Sequence, residues 1–277
     1  MIKRVFAVYF SPAGSTRRLA EQMAASAAAA LGAEYGTLDI TLPEARSAGE
    51  KRAFSEEDLV VFGMPTYAGR LPNKISPFVG SGFSGAGAYA IALVTYGNRS
   101  FDSSLTELRY LLRNSGFKVI GEAAFPCVHA FTDLLAPGRP DEDDLSEAGK
   151  FAEKMAARIA EGATAGDAAE LPAVSADDIA PYYVPKKEDG SPAVFLKARP
   201  VTDPGKCDGC GICAGVCPMG SVDRTDPSKI TGICIKCCAC VRKCPKGAKY
   251  FDDPEFLSHV RMLERNYRER KEIYMFP

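Results

Sequence analysis

The first 165 residues alternate between short apolar runs and longer stretches in which apolar residues recur at helical spacing. This alternation is typical of an α/β fold, in which helices connect the strands of a parallel sheet. Three of the runs are continuously apolar, as is usual for strands that helices cover on both faces. The pattern predicts five strands, at residues 4–10, 34–40, 59–64, 88–95 and 118–127. It predicts helices at residues 15–31, 103–115 and 143–161, with shorter ones near 43–50 and 72–80.

The pattern changes after residue 165. Residues 166–200 contain five prolines and follow neither a strand nor a helix period, so we expect a linker that lies along the surface. Four apolar residues indicate that parts of this segment pack down: Tyr182, Tyr183, Phe195 and Leu196. Residues 255–276 carry apolar side chains at helical spacing and predict an amphipathic helix that packs on a domain or on a partner.

These patterns divide the chain into four parts. We expect an α/β domain at residues 1–165, the linker at 166–200, a small domain at 201–253 and the C-terminal helix at 254–277. The acidic run at residues 141–144 fits the first turn of the last helix of the α/β domain, where negative charge is favoured.

The composition is that of an ordinary soluble protein, with 46% hydrophobic and 25% charged residues in a chain of 277. A formal net charge of −1 gives no electrostatic reason to expect nucleic acid or an anionic membrane as a partner. No apolar run approaches the roughly 20 residues that span a bilayer, and the apolar start of the chain is too short for a signal peptide. We therefore expect a cytoplasmic location.

Nine of the ten cysteines lie between residues 207 and 244, and their spacing repeats. Each of two segments carries three cysteines separated by two residues, then a fourth cysteine after three more residues, followed by proline. This is the spacing of bacterial ferredoxins, in which three thiolates bind one [4Fe–4S] cluster and the fourth reaches the other cluster. The first cluster is therefore assigned to Cys207, Cys210, Cys213 and Cys244. The second cluster is assigned to Cys217, Cys234, Cys237 and Cys240.

A zinc site or a disulfide scaffold would use cysteines differently. Zinc sites usually combine two Cys-x2-Cys pairs set well apart, with four ligands for one metal ion. Two complete three-plus-one segments, each ending in Cys-Pro, favour iron–sulfur clusters over both alternatives. Cys238 lies outside the ligand spacing and is expected to be a packed free thiol. Cys127 is too remote to be a ligand and is expected to be buried at the end of a strand.

Three loops follow predicted strands at the edge where ligands bind in parallel α/β sheets. The first, residues 11–16, begins a helix and carries hydroxyl groups that could bind a phosphate together with free backbone N–H groups. The same residues would also serve as an ordinary helix cap. The second loop, residues 63–72, and the third, residues 95–99, place Tyr67 and Tyr96 among small residues. Such loops suit a flavin ring, whereas the alternative leaves both tyrosines as surface turn residues.

On these loops, residues 1–165 resemble a flavodoxin, and with the two cysteine segments the chain resembles bacterial flavodoxin/ferredoxin fusion proteins. The resemblance implies a flavodoxin-like, doubly wound sheet of five parallel strands. It implies that a small α+β domain of the bacterial 2[4Fe–4S] ferredoxin type and a C-terminal helix follow. The cofactors implied are FMN and two [4Fe–4S] clusters.

The resemblance also implies which residues would bind FMN. The phosphate would be held by the first loop, at Ser11, Ala13, Gly14, Ser15 and Thr16. The flavin ring would be bordered on one side by Pro65, Thr66, Tyr67, Ala68 and Gly69. On the other side it would be bordered by Thr95, Tyr96, Gly97 and Asn98. The chain departs from flavodoxins at Ala13, where a hydroxyl is usual, and in having no tryptophan to stack on the flavin.

The cofactors suit an electron carrier that moves electrons between FMN, the two clusters and a redox protein that acts as donor or acceptor. An alternative is an FMN-dependent reductase of a small-molecule acceptor, with Arg70, Arg99 and His129 as candidate catalytic residues. In a carrier these three side chains would be ordinary solvated loop residues. A redox sensor is a third hypothesis. No Gly-x-Gly-x-x-Gly segment follows a predicted strand, so the sequence gives no sign of a nicotinamide site.

Overall fold

The computed structural model describes residues 1–47, 49, 51–165 and 170–277, with residues 163–165 described by their backbone alone. The strands are β1 Arg4–Tyr9, β2 Glu34–Asp39, β3 Arg52–Ala53, β4 Asp58–Pro65, β5 Phe83–Ser84, β6 Tyr89–Tyr96, β7 Lys118–Pro126, β8 Val201–Thr202, β9 Lys249–Tyr250 and β10 Tyr274–Phe276. The helices are α1 Ser15–Leu31, α2 Ser76–Ser81, α3 Ser104–Asn114, α4 Glu142–Ala165, α5 Ile212–Gly215, α6 Ala239–Arg242 and α7 Pro254–Asn266.

Six strands form the central sheet, in the order β10-β7-β6-β4-β1-β2. The five strands from the first 165 residues all pair in parallel. Numbered among themselves, these five have the spatial order 2-1-3-4-5, which is the flavodoxin-like, doubly wound order. The predicted fold class is therefore confirmed, and each predicted strand agrees with an observed one to within a residue at each end.

Helices cover both faces of this sheet. On one face, α1 and α4 contribute fully buried side chains such as Leu19 and Met155. On the other face, α3 contributes Leu105 and Leu108 to a second apolar cluster. Burial on both faces explains why β1, β4 and β6 appear in the sequence as continuous apolar runs. It also leaves the carboxyl edge of the parallel strands as the place where loops can form a site.

The C-terminal segment differs from the single helix that was predicted to extend to residue 276. α7 ends at Asn266, and the last residues form β10, which pairs antiparallel with β7. The side-chain amide of Asn98 donates to the carbonyl oxygens of Tyr267 and Glu269, at 2.6 and 2.8 Å. These bonds hold the chain in a non-helical path, and β10 becomes a sixth, edge strand of the sheet.

The described part of the linker packs against the α/β domain. Tyr183 donates its backbone N–H to the carbonyl oxygen of Ala68 at 2.8 Å, and the Tyr182 hydroxyl donates to the carbonyl oxygen of Leu71 at 2.9 Å. Leu196 is 86% exposed and takes no part in this packing. The neighbouring Phe195 takes the inward position instead, in contact with α7.

Two predicted features fall partly on residues outside the described part of the chain. The short helix expected near 43–50 is a 3-10 turn at Pro43–Arg46, and residues 48 and 50 lie outside that part. The first linker residues, 166–169, lie outside it as well. Among the residues that are described, no helix is both long and apolar enough to cross a membrane.

Residues 201–253 form a small unit with two short helices and a two-stranded sheet. β8 pairs antiparallel with β9, and α5 and α6 begin at equivalent positions of the two cysteine segments. This unit contacts the α/β domain through hydrogen bonds from Arg46 to the carbonyl oxygen of Pro218 and from Arg242 to that of Ala130. Its second cysteine segment therefore lies against the carboxyl edge of the large sheet.

Candidate functional site

The eight cysteines assigned to clusters lie in two groups, each around a small cavity. The first cysteine group consists of Cys207, Cys210, Cys213 and Cys244. The second cysteine group consists of Cys217, Cys234, Cys237 and Cys240. In each group the fourth cysteine comes from the other segment, which is the exchange that ferredoxin spacing predicts.

The two cysteine loops share one backbone conformation, although only the first is rich in glycine. Gly209 and Gly211 have φ angles of 73° and 74°, in the left-handed region. The equivalent residues of the second loop, Lys236 and Cys238, have φ angles of 57° and 56°. This conformation costs a residue with a Cβ about 1–2 kcal/mol, so the second loop keeps its shape against a local preference. Cys238 is a buried free thiol at a turn position, next in sequence to Cys237 of the second cysteine group.

A buried lysine lies close to both cysteine groups. Lys249 is 3% exposed, and its Nζ donates to the carbonyl oxygen of Pro227 at 2.5 Å. Burial raises the pKa of the Cys213 thiol, and the positive charge of Lys249 opposes that rise. The same charge opposes the rise for Cys240, which belongs to the other group. A buried cation needs compensating negative charge, which cluster-bound thiolates would supply from both sides.

For clusters bound by the two cysteine groups, replacing Lys249 with methionine is expected to lower the reduction potentials. A reduced cluster is more negative than an oxidised one, so removing the nearby positive charge destabilises the reduced form. Midpoint potentials from a redox titration followed by EPR would measure the change. Lys246→Met is the matched control, since Lys246 lines the first cysteine cavity but its side chain is 54% exposed. Because water screens the charge of Lys246, Lys246→Met should change the reduction potentials less than Lys249→Met does. Equal shifts in the two variants would contradict the expectation.

A larger cavity, of about 240 Å³, lies at the carboxyl edge of the sheet. Residues predicted to bind FMN line it from all three loops: Ser11, Ala13, Gly14, Ser15, Thr16, Pro65, Thr66, Tyr67, Ala68, Gly69, Thr95, Tyr96 and Gly97. Asn98, which was also predicted to bind FMN, does not line the cavity. It is fully buried and binds the C-terminal segment instead.

The first loop enters α1 with the features of an anion site. Gly14 precedes the helix with φ of 101°, and the first turn of α1 contains no acidic residue. Within the described part of the chain, the backbone N–H groups of residues 13–16 have no acceptor. The Thr16 and Thr95 hydroxyl oxygens lie 2.7 Å apart, and the Ser11 hydroxyl accepts a backbone N–H at 2.9 Å. Free N–H groups and fixed hydroxyls at a helix N-terminus fit the phosphate of FMN.

The second loop makes a tight turn. Tyr67 and Arg70 exchange both backbone hydrogen bonds, at 2.8 and 3.2 Å. Ala68 and Gly69, which lie between them, have φ angles of 49° and 78°, as in a type I′ turn. A Cβ at Gly69 would overlap the carboxylate of Asp102. This position therefore needs glycine both for its backbone angle and for the space around it.

The variant Gly69→Ala is expected to displace this turn and to weaken FMN binding by about tenfold, which corresponds to about 1.4 kcal/mol. Titration of the FMN-free protein with FMN, followed by flavin fluorescence, would measure the dissociation constant. Gly190→Ala is the control, because Gly190 in the linker has φ of 82° but no atom within 4 Å of the added Cβ. It should lower stability by about 1–2 kcal/mol and leave FMN affinity unchanged. Equal affinities in the two variants would refute a role for the turn.

Tyr67 connects the larger cavity with the second cysteine group. Burial raises the pKa of the Tyr67 phenol, and the neighbouring thiols of Cys237, Cys238 and Cys234 add to the rise. Cys237 lines both the larger cavity and the cavity of the second cysteine group. The two candidate sites therefore share a wall.

The three candidate catalytic residues have different surroundings. Arg70 does not line the larger cavity, and it pairs with Glu107 at 2.7 Å. Arg99 lines the cavity, with its guanidinium 3.9 Å from the centre of the Tyr183 ring. His129 also lines the cavity. Of the three, Arg99 and His129 could contact a molecule bound there.

One wall of the larger cavity was not predicted from the sequence. It comes from the linker, the second cysteine segment, α7 and the loop after β7, with Tyr183, Pro185, Phe195, Ile235, Lys236, Cys237, His259, Leu263, Cys127, Val128, Ala130 and Phe131. Cys127 is buried, as expected. The sequence did contain a sign that His259 is buried. It is one of two histidines in the chain and lies on the apolar face of α7 beside Val260 and Leu263.

Comparison with known protein families gives a match over residues 200–223, to the 4Fe-4S binding domain. Among solved structures, a flavodoxin from the Archaea is 16% identical with a TM-score of 0.38, over 57% of this chain and 99% of that one. A flavodoxin of Streptococcus pneumonia TIGR4 is 17% identical with a TM-score of 0.40, over 56% and 99%. An NADH:FMN oxidoreductase in its apo form is 19% identical with a TM-score of 0.41, over 56% and 88%. No curated protein matches the sequence significantly.

These structural similarities are weak, so the fold assignment rests on the strand order of the chain's own sheet. The family match supports a [4Fe–4S] cluster in the first cysteine segment. A flavodoxin-like α/β domain is thus joined in one chain to a segment similar to the 4Fe-4S binding domain. This combination indicates a redox protein that transfers electrons.

Proposed function

We propose that the chain binds FMN and two [4Fe–4S] clusters and transfers electrons among them and to a redox protein. The observation that carries this proposal is the position of Cys237, which lines both the larger cavity and the cavity of the second cysteine group. A cluster in that group and a flavin in the larger cavity would be neighbours. Short separation is what electron transfer requires, because tunnelling rates fall steeply with distance.

The lining of the larger cavity suits FMN. The start of α1 offers free N–H groups to a phosphate, and Tyr67 and Tyr96 offer aromatic faces beside small residues to a planar ring. Bound FMN can exchange one or two electrons, whereas each cluster exchanges one. The chain would therefore convert between single electrons and electron pairs.

Exposure supports an order of transfer from the first cluster to the second and then to FMN. Cys210 is exposed and Cys207 is partly exposed, so a redox partner can approach the first cysteine group. In the second group no cysteine is exposed, since Cys237 is buried and the other three are partly exposed, whereas the first group has the exposed Cys210 beside one buried cysteine, Cys213. The charge of Lys249 lowers the pKa of one cysteine in each group, Cys213 and Cys240, so the two groups are neighbours. We assign the first cluster as the point of electron exchange with the partner protein.

Arg242 fixes the second cysteine group against the larger cavity. It lies at the end of α6, and its guanidinium donates to the carbonyl oxygens of Ala130, at 2.9 Å, and of His129. It also pairs with Asp133 at 2.8 Å. These bonds tie the helix that carries Cys240 to the loop after β7, so the separation between the two sites is held constant.

Anaerobic purification with quantified flavin, iron and sulfide tests this proposal. We expect about one FMN and about eight irons per chain. A stepwise reductive titration followed by visible and EPR spectra should show electrons distributing between the flavin and the clusters. Zinc in place of iron, or no flavin after reconstitution, would overturn the proposal.

A second candidate function is FMN-dependent reduction of a small molecule. The observation that favours it is the wall that the linker and α7 add to the larger cavity, together with Arg99 and His129. The reduced protein would then be reoxidised by a small-molecule acceptor without any partner protein. A carrier would instead require the redox partner, so screening acceptors under anaerobic conditions separates the two functions.

A further inference from the structure

The wall that closes the larger cavity is mostly aromatic and apolar. Tyr183 and Phe195 come from the linker, and His259 and Leu263 come from α7. The Phe195 and His259 ring centres lie 5.4 Å apart. His129, in the loop after β7, lines the same cavity. The cavity thus contains both histidines of the chain.

His129 offers a hydrogen-bond donor to the cavity. Its Nδ1 accepts the backbone N–H of Phe131 at 3.0 Å, so this nitrogen carries no proton. The ring proton therefore sits on Nε2. Burial lowers the pKa of His129 to about 3, which keeps the ring neutral at ordinary pH. Among the described residues, Nε2 has no acceptor.

His259 offers the opposite group. Its Nδ1 lies 2.8 Å from the carbonyl oxygen of Lys186, which can only accept, so Nδ1 carries the proton. Burial lowers the pKa of His259 as well, so the ring is neutral and Nε2 has a free lone pair. The residue is 5% exposed, and its Nε2 has no donor in the part of the chain that the structure describes. Nε2 therefore presents a free acceptor to a molecule bound in the larger cavity.

The positive groups of the cavity already have partners. Arg99 pairs with Asp102 and stacks on the Tyr183 ring, and Lys236 donates to the carbonyl oxygen of Leu196 at 2.9 Å. Neither positive group is therefore free to bind an anionic ligand in addition to the FMN phosphate. Its aromatic wall favours a planar, apolar molecule with few polar groups.

We propose that the part of the larger cavity lined by His129 and His259 binds a small, neutral aromatic molecule that carries a carbonyl group and a hydroxyl group. The carbonyl oxygen accepts from His129 Nε2, and the hydroxyl donates to His259 Nε2. This inference rests on the proposed function, because it places the ligand in the cavity that also holds FMN.

Binding to the protein loaded with FMN and clusters tests the ligand class. The probes are 2-, 3- and 4-hydroxybenzaldehyde, with benzaldehyde and phenol as comparators that lack the hydroxyl or the carbonyl. Calorimetry and the change in flavin absorption report affinity. At least one hydroxybenzaldehyde is expected to bind about tenfold more tightly than either comparator, the value of about one satisfied hydrogen bond. Equal affinity for all five probes, or no binding, would overturn the proposal.

Asparagine variants assign the two histidines separately. In His129→Asn and His259→Asn the side-chain amide can keep the hydrogen bond made by Nδ1 but has no atom at the position of Nε2. His259→Asn should reduce the affinity for the hydroxybenzaldehyde to that for benzaldehyde. His129→Asn should reduce it to that for phenol. Unchanged affinity in both variants would overturn the assignment.

FMN content and FMN affinity distinguish this inference from two other outcomes: histidines that bind the flavin itself, and a protein that binds no FMN. The flavin edge also carries carbonyl and N–H groups, so histidines that bind the flavin itself would show equal losses of FMN affinity in both variants and would overturn the inference. We expect the FMN dissociation constant to stay within about threefold of the parent, less than one hydrogen bond. A preparation without FMN overturns the proposed function, whereas FMN-loaded protein that binds no probe overturns this inference alone.

Discussion

The Cys237→Ala variant is expected to keep FMN and about four irons per chain, yet to lose rapid reduction of FMN through the first cluster. Without Cys237 the second cysteine group lacks a ligand, and that group lies between the exposed first group and the larger cavity. Electrons would then have to cross the whole distance from the first cluster to FMN in one long step. We expect the rate of FMN reduction by a one-electron protein donor to fall by orders of magnitude, as measured by stopped-flow absorption with iron quantified on the same sample.

Cys238→Ala is the matched control for this experiment. Cys238 is the next residue, is buried and lines the same cavity, but lies outside the ligand spacing. It should retain about eight irons and the parent rate. Loss of iron in Cys238→Ala but not in Cys237→Ala would show that the ligand assignment is wrong. Loss of four irons in Cys237→Ala with an unchanged rate would show that electrons bypass the second cluster.

The sequence predicted the sheet well because each strand carries its own signal. β1, β4 and β6 are buried on both faces, and such burial requires an apolar residue at nearly every position. The grouping of the cysteines was also predictable, although Cys244 joins residues more than thirty positions earlier. Here the spacing itself encodes the exchange between the two segments.

The C-terminal segment was predicted less well because its conformation is decided by distant residues. Asn98 lies far away in the chain and binds the carbonyl oxygens at which the helix stops. The same contact explains why Asn98 was wrongly placed in the larger cavity, since a polar residue in a loop after a strand can serve either purpose. Ile273 and Met275 pack on the core with period two, a strand signal too short to outweigh the helical pattern before it.

Lys249 and His259 were missed for a related reason. Each is a polar residue in a segment whose local pattern predicts nothing unusual, and each becomes informative through burial. Lys249 is buried close to both cysteine groups, which the fold brings together. His259 is buried in the wall of a cavity whose other residues come from the α/β domain and the linker. Such sites depend on how domains pack, which a single sequence does not specify.

The buried ion pair of Arg139 and Asp144 carries the largest expected effect on stability. Both side chains are at most 2% exposed, and Arg139 Nε donates to Asp144 Oδ2 at 2.8 Å. Arg139 Nη1 also donates to the carbonyl oxygen of Lys271 at 2.6 Å. The guanidinium thereby joins the loop after β7, the start of α4 and the segment that leads into β10. Arg139→Met is expected to destabilise the α/β domain by about 3–5 kcal/mol, because the buried Asp144 carboxylate then keeps only the Asp141 backbone N–H at 3.0 Å and the more distant Arg270 guanidinium at 3.9 Å.

Urea unfolding followed by circular dichroism measures this loss, and two further variants identify its cause. The double variant Arg139→Met/Asp144→Leu should be more stable than Arg139→Met, since no unpaired buried charge remains. Lys150→Met removes an exposed lysine that pairs with Glu147, and its unfolding should match that of the parent. If the double variant is no more stable than Arg139→Met, the loss comes from the Lys271 contact, and the C-terminal strand is what the guanidinium mainly holds. If Arg139→Met unfolds like the parent, neither contact stabilises the domain.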